Sequence, residues 1–363
     1  MPIVSSAAEK IMNPGITQKP LVSVIVNNYN YARFLGEAID SALAQTYENT
    51  EVIVVDDGSI DDSRTVIESY GNRVKAIYKR NGGQASAMNA GFAMARGELI
   101  YFLDADDRAA PDCLERVVNR YRTAPDDLAI VQFKLQTIDG DGKSLHYRMP
   151  EIERMQGGEA RRMLREKGSY VYPPTSGNIF TRKILKRIMP IPEPDFRVGA
   201  DIYLCTLAAL LGSIEVFEDA LGEYRVHGAN NFASADALED VSIERFVEMM
   251  TKEARVRLIS KKLCAVHLRR PIGGNTDLLH LIFDSTARKL SAGKTNRFRL
   301  MKQFLYEFRA DRSRVPLRNK IGAFVYLTTI AMLPVAATRS LVKIAFVRPP
   351  KYLGTMLKKS FGQ

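Results

Sequence analysis

Between Leu21 and Leu103 short β-branched runs alternate with stretches of helical periodicity, and this alternation constrains the fold more than any other feature of the chain. Val22 to Val26, Glu51 to Val55, Val74 to Tyr78 and Leu99 to Leu103 read as strands; Phe34 to Ala44, Arg64 to Tyr70 and Gln84 to Ala95 read as helices. Asp61-Asp62 stands where a helix cap is needed. Strands and helices interleaved at this spacing predict an α/β fold, a mostly parallel Rossmann-like nucleotide-binding sheet flanked by helices. Such sheets bind ligands beyond the carboxyl ends of their strands. Three places are therefore singled out: Asn27-Asn28-Tyr29-Asn30, Asp56-Asp57 and Asp104-Ala105-Asp106-Asp107.

From Asp126 to Asn231 the pattern is less regular, with a strand over Ala129 to Lys134 and a helix over Gly158 to Glu166. Beyond Ala237 only helical periods remain: 241–267, 277–290, 297–309 and 321–347. The expected organisation is a short arm over 1–19, a catalytic domain over 20–236 and a helical C-terminal region over 237–363. Charge divides the same way. Residues 1–250 hold 28 Lys and Arg against 36 Asp and Glu, whereas residues 251–363 hold 24 against 5. A basic tail on an ordinary globular body points to nucleic acid, anionic lipid or an acidic glycan as its partner. Residues 321–338 carry no charge for 18 residues, the lower limit for crossing a bilayer, and are flanked by Arg and Lys. Contact with an anionic membrane surface is the preferred reading, beside a core helix or a true span. Three cysteines without CxxC spacing exclude a disulfide scaffold and a thiolate zinc site. Met1 to Gly15 lacks the apolar run of a secretory leader, so the protein is expected at the cytoplasmic face of the membrane, peripheral or monotopic.

The turn Asp104-Ala105-Asp106-Asp107 follows an all-apolar strand, which holds its carboxylates close together. Carboxylates at that spacing repel, and a hard divalent ion with oxygen ligands is the natural compensation. A plain turn or helix cap is the alternative.

Four motifs decide between these readings: V-S-V-I-V-N-N-Y-N at 22–30, Q-T-Y-E-N-T-E-V-I-V-V-D-D-G-S at 45–59, N-G-G-Q-A-S-A-M-N-A-G at 81–91 and Y-F-L-D-A-D-D at 101–107. In this order and spacing the chain resembles the family-2 glycosyltransferases, inverting enzymes with the A-type glycosyltransferase fold, over roughly residues 20–232. The resemblance implies that Asn28, Tyr29, Asn30 and Asp56 hold the base and ribose of a sugar nucleotide, with Asp57 and Ser59 shaping the turn. It implies that Asp106 binds Mn or Mg, with Asp104 and Ala105 completing the D-x-D motif at the ribose or metal. It places the Asn81-Gly82-Gly83 turn and Asn89 on the diphosphate side, although Met88 stands where relatives often carry Arg.

Further along, Pro173 to Asn178 resembles the family's small-residue strand at the sugar, with Ser176 and Gly177 in contact. Ala200-Asp201 matches the Glu-Asp of relatives, so Asp201 is implied as general base while the preceding Glu is missing. Tyr224-Arg225-Val226-His227 matches Y-R-x-H, which implies Arg225 at the donor and His227 at the metal, on one side of a short strand. The implied activity is transfer of a single hexosyl or N-acetylhexosaminyl unit from a nucleotide-diphosphate sugar to a glycan or lipid-linked acceptor in cell-surface polysaccharide or lipopolysaccharide assembly. Processive synthases of the family usually carry Q-x-x-R-W, and this chain has no Trp. Two alternatives stand beside it: a nucleotidyltransferase using paired carboxylates and Mg, and a catalytically inactive binding module on the same fold. No nucleic acid is expected, because no RNA-recognition motif is present.

Overall fold

The computed structural model describes residues 19–150, 157–227, 258–259 and 261–269. The chain divides into two compact units, one formed by residues up to 158 with 172–225, the other by 159–171 and 226 onward.

The first unit begins with β1 (Val22–Asn28), α1 (Ala32–Leu43), β2 (Thr50–Asp56), α2 (Ser63–Ser69), β3 (Lys75–Tyr78), α3 (Gln84–Met94) and β4 (Leu99–Asp104). Then come the two-residue β5 (Arg108–Ala109), α4 (Cys113–Tyr121), and a hairpin of β6 (Leu128–Ile138) and β7 (Ser144–Met149). After α5 (Gly157–Lys167), which runs into the second unit, follow β8 (Asn178–Thr181), α6 (Arg182–Ile188), α7 (Ala200–Leu211) and β9 (Ser213–Arg225). Among the described residues nine strands form one sheet in the order β3-β2-β1-β4-β8-β6-β9-β5, with β7 paired to β6. β3, β2, β1 and β4 are mutually parallel; β8 is antiparallel to both β4 and β6, so β6 and β9 again run with the first four.

Both faces of the central strands are covered, which is why they read as unbroken apolar runs. Val22, Val24 and Val26 join one core with Leu35, Ala38 and Ile39 of α1 and Leu114, Val117 and Val118 of α4. The alternate residues face α3, where Gly91 lies so close that an added Cβ would stand 2.3 Å from Ile25 Cγ2. Only a residue without a side chain lets α3 approach β1 so closely.

The amino edge of the sheet is tied by Glu51. Its carboxylate accepts from Ser23 Oγ at 2.6 Å, Lys75 Nζ at 2.7 Å and the Arg96 amide at 2.6 Å. Burial alone would raise its pKa, but these donors hold it at about 2, below the ordinary 4.5. A depressed folded-state pKa stabilises the fold above pH 4.5, and the contribution is lost as pH falls from there towards 2. Lys75 and Arg96 are exposed, and screening by solvent reduces this contribution to about 1–2 kcal/mol. Thermal melts between pH 2 and pH 6 should therefore show Glu51→Gln less stable at pH 6 and close to wild type at the acid end. A constant difference across that range would remove the assignment.

The sequence missed β5, β7 and most of β9. β9 is mostly half-exposed and ends at Arg225, so the shared strand expected for Arg225 and His227 does not exist. In the second unit Arg162 pairs with Glu159 and Glu166 on α5, and residues 261–268 are helical. The helices expected over 277–290, 297–309 and 321–347, and the boundary near 235–240, lie outside the described residues. No helix among the described residues is long and apolar enough to cross a membrane.

Candidate active site

Parallel pairing brings the carboxyl ends of β1 and β2 side by side, with Asn28 opposite Asp56. Asn28 Nδ2 donates to Asp56 Oδ1 at 2.9 Å and to Ser59 Oγ at 3.1 Å. Ser59 Oγ donates to Asp56 and accepts the Asn30 amide at 2.9 Å. Asn30 takes the left-handed conformation (φ 59°) and accepts the Ile60 amide through Oδ1. Asn28, Asn30, Asp56 and Ser59 thus form one braced turn. It leaves Tyr29 44% and Ile60 90% exposed at the same edge.

Asp57 has a different task from the one expected. Its carboxylate accepts the amides of Gly82 at 3.0 Å and Gly83 at 2.6 Å, and Lys79 Nζ at 2.6 Å. The anion held at the start of α3 is therefore the protein's own, since a helix N-terminus with a glycine turn suits any carboxylate. Gly83 adopts φ 88°, and a Cβ there would stand 2.7 Å from the Arg197 carbonyl. Asn81 accepts from Arg197 at 2.6 Å. Asn89 donates to the Ile191 carbonyl and Glu193 and accepts the Ile191 amide, so it fastens α3 to that loop.

The acidic turn is built from inside. Asp107 is 1% exposed, and its carboxylate accepts the Ser176 hydroxyl at 2.6 Å and the Arg225 amide at 2.9 Å. Ser176 Oγ accepts the Asp104 amide at 3.1 Å. Arg225, 1% exposed, gives Nε to the Asp106 carbonyl at 2.9 Å and its terminal nitrogens to the Asp139 and Gly140 carbonyls and to Glu37 at 2.6 Å. The expectation that Arg225 and Ser176 contact the sugar nucleotide is corrected: both turn inward and brace the D-x-D turn. Gly177 is structural too, because a Cβ there would meet Pro173 at 2.5 Å. Ala105 lies in the core as the spacer between two carboxylates. Val226 and His227 belong to the second unit.

Burial first, then the charges of Asp106 and Asp201, push Asp104 up to about 8. Burial, then Asp106 and Asp104, raise Asp107. Asp201, in the first turn of α7, is pushed up to about 6 by burial, with the amides of its own turn pulling the other way. Distant segments therefore bring Asp104, Asp106 and Asp201 into one electrostatic cluster. Beside it lies Asn27, in register with Asp104 across β1 and β4 and 9% exposed. Both polar atoms of its side-chain amide are buried without a protein partner, as is Asn28 Oδ1.

An orphaned buried amide costs about 1–3 kcal/mol. Asn27→Leu, similar in volume and apolar, should raise the melting temperature of the ligand-free protein by a few degrees while shrinking the stabilisation that a bound polar ligand confers. A lower melting temperature would mean that an internal water already satisfies Asn27.

Glu37 and Gln84 sit on helices with no local mark of a site role. Asp107 stands out as the last acid of D-A-D-D, but its inward bracing by Ser176 and Arg225 is not legible there.

A largely co-directional sheet, helices on both faces and an acidic turn at its carboxyl edge together define an A-type glycosyltransferase fold. The family model for Glycosyl transferase family 2 matches residues 23–189. An uncharacterized glycosyltransferase of Nostoc sp. is 39% identical over 235 residues, covering 63% of this chain and 72% of the relative. The succinoglycan biosynthesis protein ExoO of Rhizobium meliloti is 32% identical over 218 residues, covering 58% of this chain and 61% of that protein. Among solved structures, the mannosyltransferase PcManGT of Pyrobaculum calidifontis, in complex with GDP-Man and Mn2+, superposes with a TM-score of 0.47 at 18% identity, over 91% of this chain and 88% of that one. The chain belongs to glycosyl transferase family 2.

Proposed function

We propose that the protein transfers a single hexosyl or N-acetylhexosaminyl unit from a nucleotide-diphosphate sugar to a glycan or lipid-linked acceptor, with inversion and with a bound Mn2+ or Mg2+. The convergence of Asp104, Asp106 and Asp201 carries this reading. Asp104 and Asp201 are both held above the ordinary carboxylate range, mainly by burial, so their ionisation is costly unless a cation compensates it. Asp106 and Asp104 would hold the ion. Among the described residues no three His, Cys, Asp or Glu side chains gather for a metal; one or two carboxylates completed by phosphate oxygens is the usual magnesium arrangement. When bound, the ion stabilises the charge of the departing diphosphate. Asp201 accepts the acceptor's hydroxyl proton as its oxygen attacks the anomeric carbon. The bond from that carbon to the phosphate oxygen breaks on the opposite face, which inverts the configuration.

The proposed setting is polysaccharide or lipopolysaccharide assembly at the cytoplasmic face of the membrane. The name of the Rhizobium relative and the basic residues 251–363, with the uncharged run 321–338, support it. The test is incubation with a panel of sugar nucleotides and candidate acceptors, with Mn2+, Mg2+ or a chelator. Release of nucleoside diphosphate, an inverted product by NMR and loss with chelator are expected. A nucleotide appended to the acceptor would establish nucleotidyl transfer in its place.

A further inference from the structure

Gln84 opens α3, and its side chain makes three hydrogen bonds. Oε1 accepts the amides of Gly199 at 2.9 Å and Ala200 at 3.0 Å, the residues that begin α7. Nε2 donates to Thr175 Oγ1 at 3.2 Å, and Gln84 and Thr175 both lie beside the Asp104 carboxylate. A flipped amide would set its NH2 against two N–H donors, so the network determines the orientation. The main chain repeats the tie: the Gln84 amide donates to the Arg197 carbonyl at 2.9 Å and the Ala85 amide to Phe196 at 3.2 Å.

α7 supplies no side-chain cap of its own. Its cap residue, Gly199, has φ 77° and no side chain to offer its own helix. The first amides of a helix have no partner within it. Those at the start of α7 are satisfied from another element, by Gln84.

We propose that Gln84 is a positioning residue that fixes the start of α7, and with it Asp201, relative to Asp104. Donor-side and acceptor-side carboxylates then keep one separation, and occupation of the donor side is transmitted to the base. The inference rests on the reading of Asp104 and Asp201 given above. Gln84 itself touches neither reacting atom.

Two variants test it. Gln84→Met fills a similar volume but makes none of the three bonds. Gln84→Glu still accepts from Gly199 and Ala200 but cannot donate to Thr175. In Gln84→Met the expected result is a fall in kcat of about 100-fold, the scale of an ångström-sized misplacement, with donor KM within about threefold of wild type.

Amide hydrogen exchange over 199–202 gives a readout independent of turnover. UDP or GDP with Mn2+ should increase protection there in wild type and not in Gln84→Met. Gln84→Glu should recover the ligand-free protection without the nucleotide response. A Gln84→Met protein with wild-type kcat, or one whose exchange responds to nucleotide as wild type does, overturns the inference. So does a parallel loss of kcat, KM and melting temperature, which marks a merely structural residue. A wild-type protein that responds to neither nucleotide instead defeats the donor reading.

Discussion

Replacing Asp201 by Asn is expected to lower sugar transfer by about 10²- to 10⁴-fold, the usual contribution of a positioned general base, while donor affinity stays near wild type. The amide nearly matches the carboxylate in shape but accepts no proton at neutral pH. The acid limb of the pH profile offers a second check. Burial raises the Asp201 carboxyl to about 6, so the active, deprotonated base is lost as pH falls through that value. kcat/KM should therefore rise with pH to a plateau above roughly pH 7, and the limb should vanish in Asp201→Asn. Donor affinity by thermal shift, set beside the transfer rate, separates this from loss of binding. If rate and profile both survive the substitution, the base lies elsewhere.

Arg225→Met is expected to destabilise the protein by about 3 kcal/mol, or roughly 10 °C in melting temperature. The substitution removes the guanidinium that serves the carbonyls of Asp106, Asp139 and Gly140 and pairs with Glu37. The carbonyl oxygens lose a charged donor, whereas Glu37 is half exposed and returns to water. Arg225→Lys should recover little, because a single ammonium cannot replace a planar fork aimed in three directions. Activity should fall with stability, since the Asp106 carbonyl belongs to the turn that presents the acidic pair. A lysine variant melting within 2 °C of wild type would show that the turn is held by Asp107 and Ser176 alone.

Arg225 and Asp201 illustrate how far sequence reading reaches. Asp201 stands at the start of an apolar helical run, and that local pattern leads directly to its place in α7. Arg225 stands in an equally recognisable Y-R-x-H, yet its side chain points into the protein. The Asp107 carboxylate that accepts its amide, the carbonyl of Asp106 and the carboxylate of Glu37 lie 118, 119 and 188 residues away in sequence. Nothing in the local spacing distinguishes a guanidinium bound to phosphate from one bound to carbonyls.

Asp57 shows the same limit. A D-D-G-S turn and an N-G-G turn were legible as anion chemistry at two strand ends. That one would supply the anion for the other, with Asp57 on the amides of Gly82 and Gly83, appears only once β2 and α3 are side by side.

The sequence by itself determined the parallel core of β1, β2, β3 and β4, the helices between them and the acidic turn at the edge. Each of these follows from a short-range period or an apolar run, and burial on both faces leaves such strands little freedom. Tertiary structure alone decided the reversed β8, the long half-exposed β9 and the partners of Asp57, Gln84 and Arg225. Those depend on hydrogen bonds between groups 22 to 188 residues apart in sequence, or on which half-exposed face meets a neighbour, and a local pattern records neither.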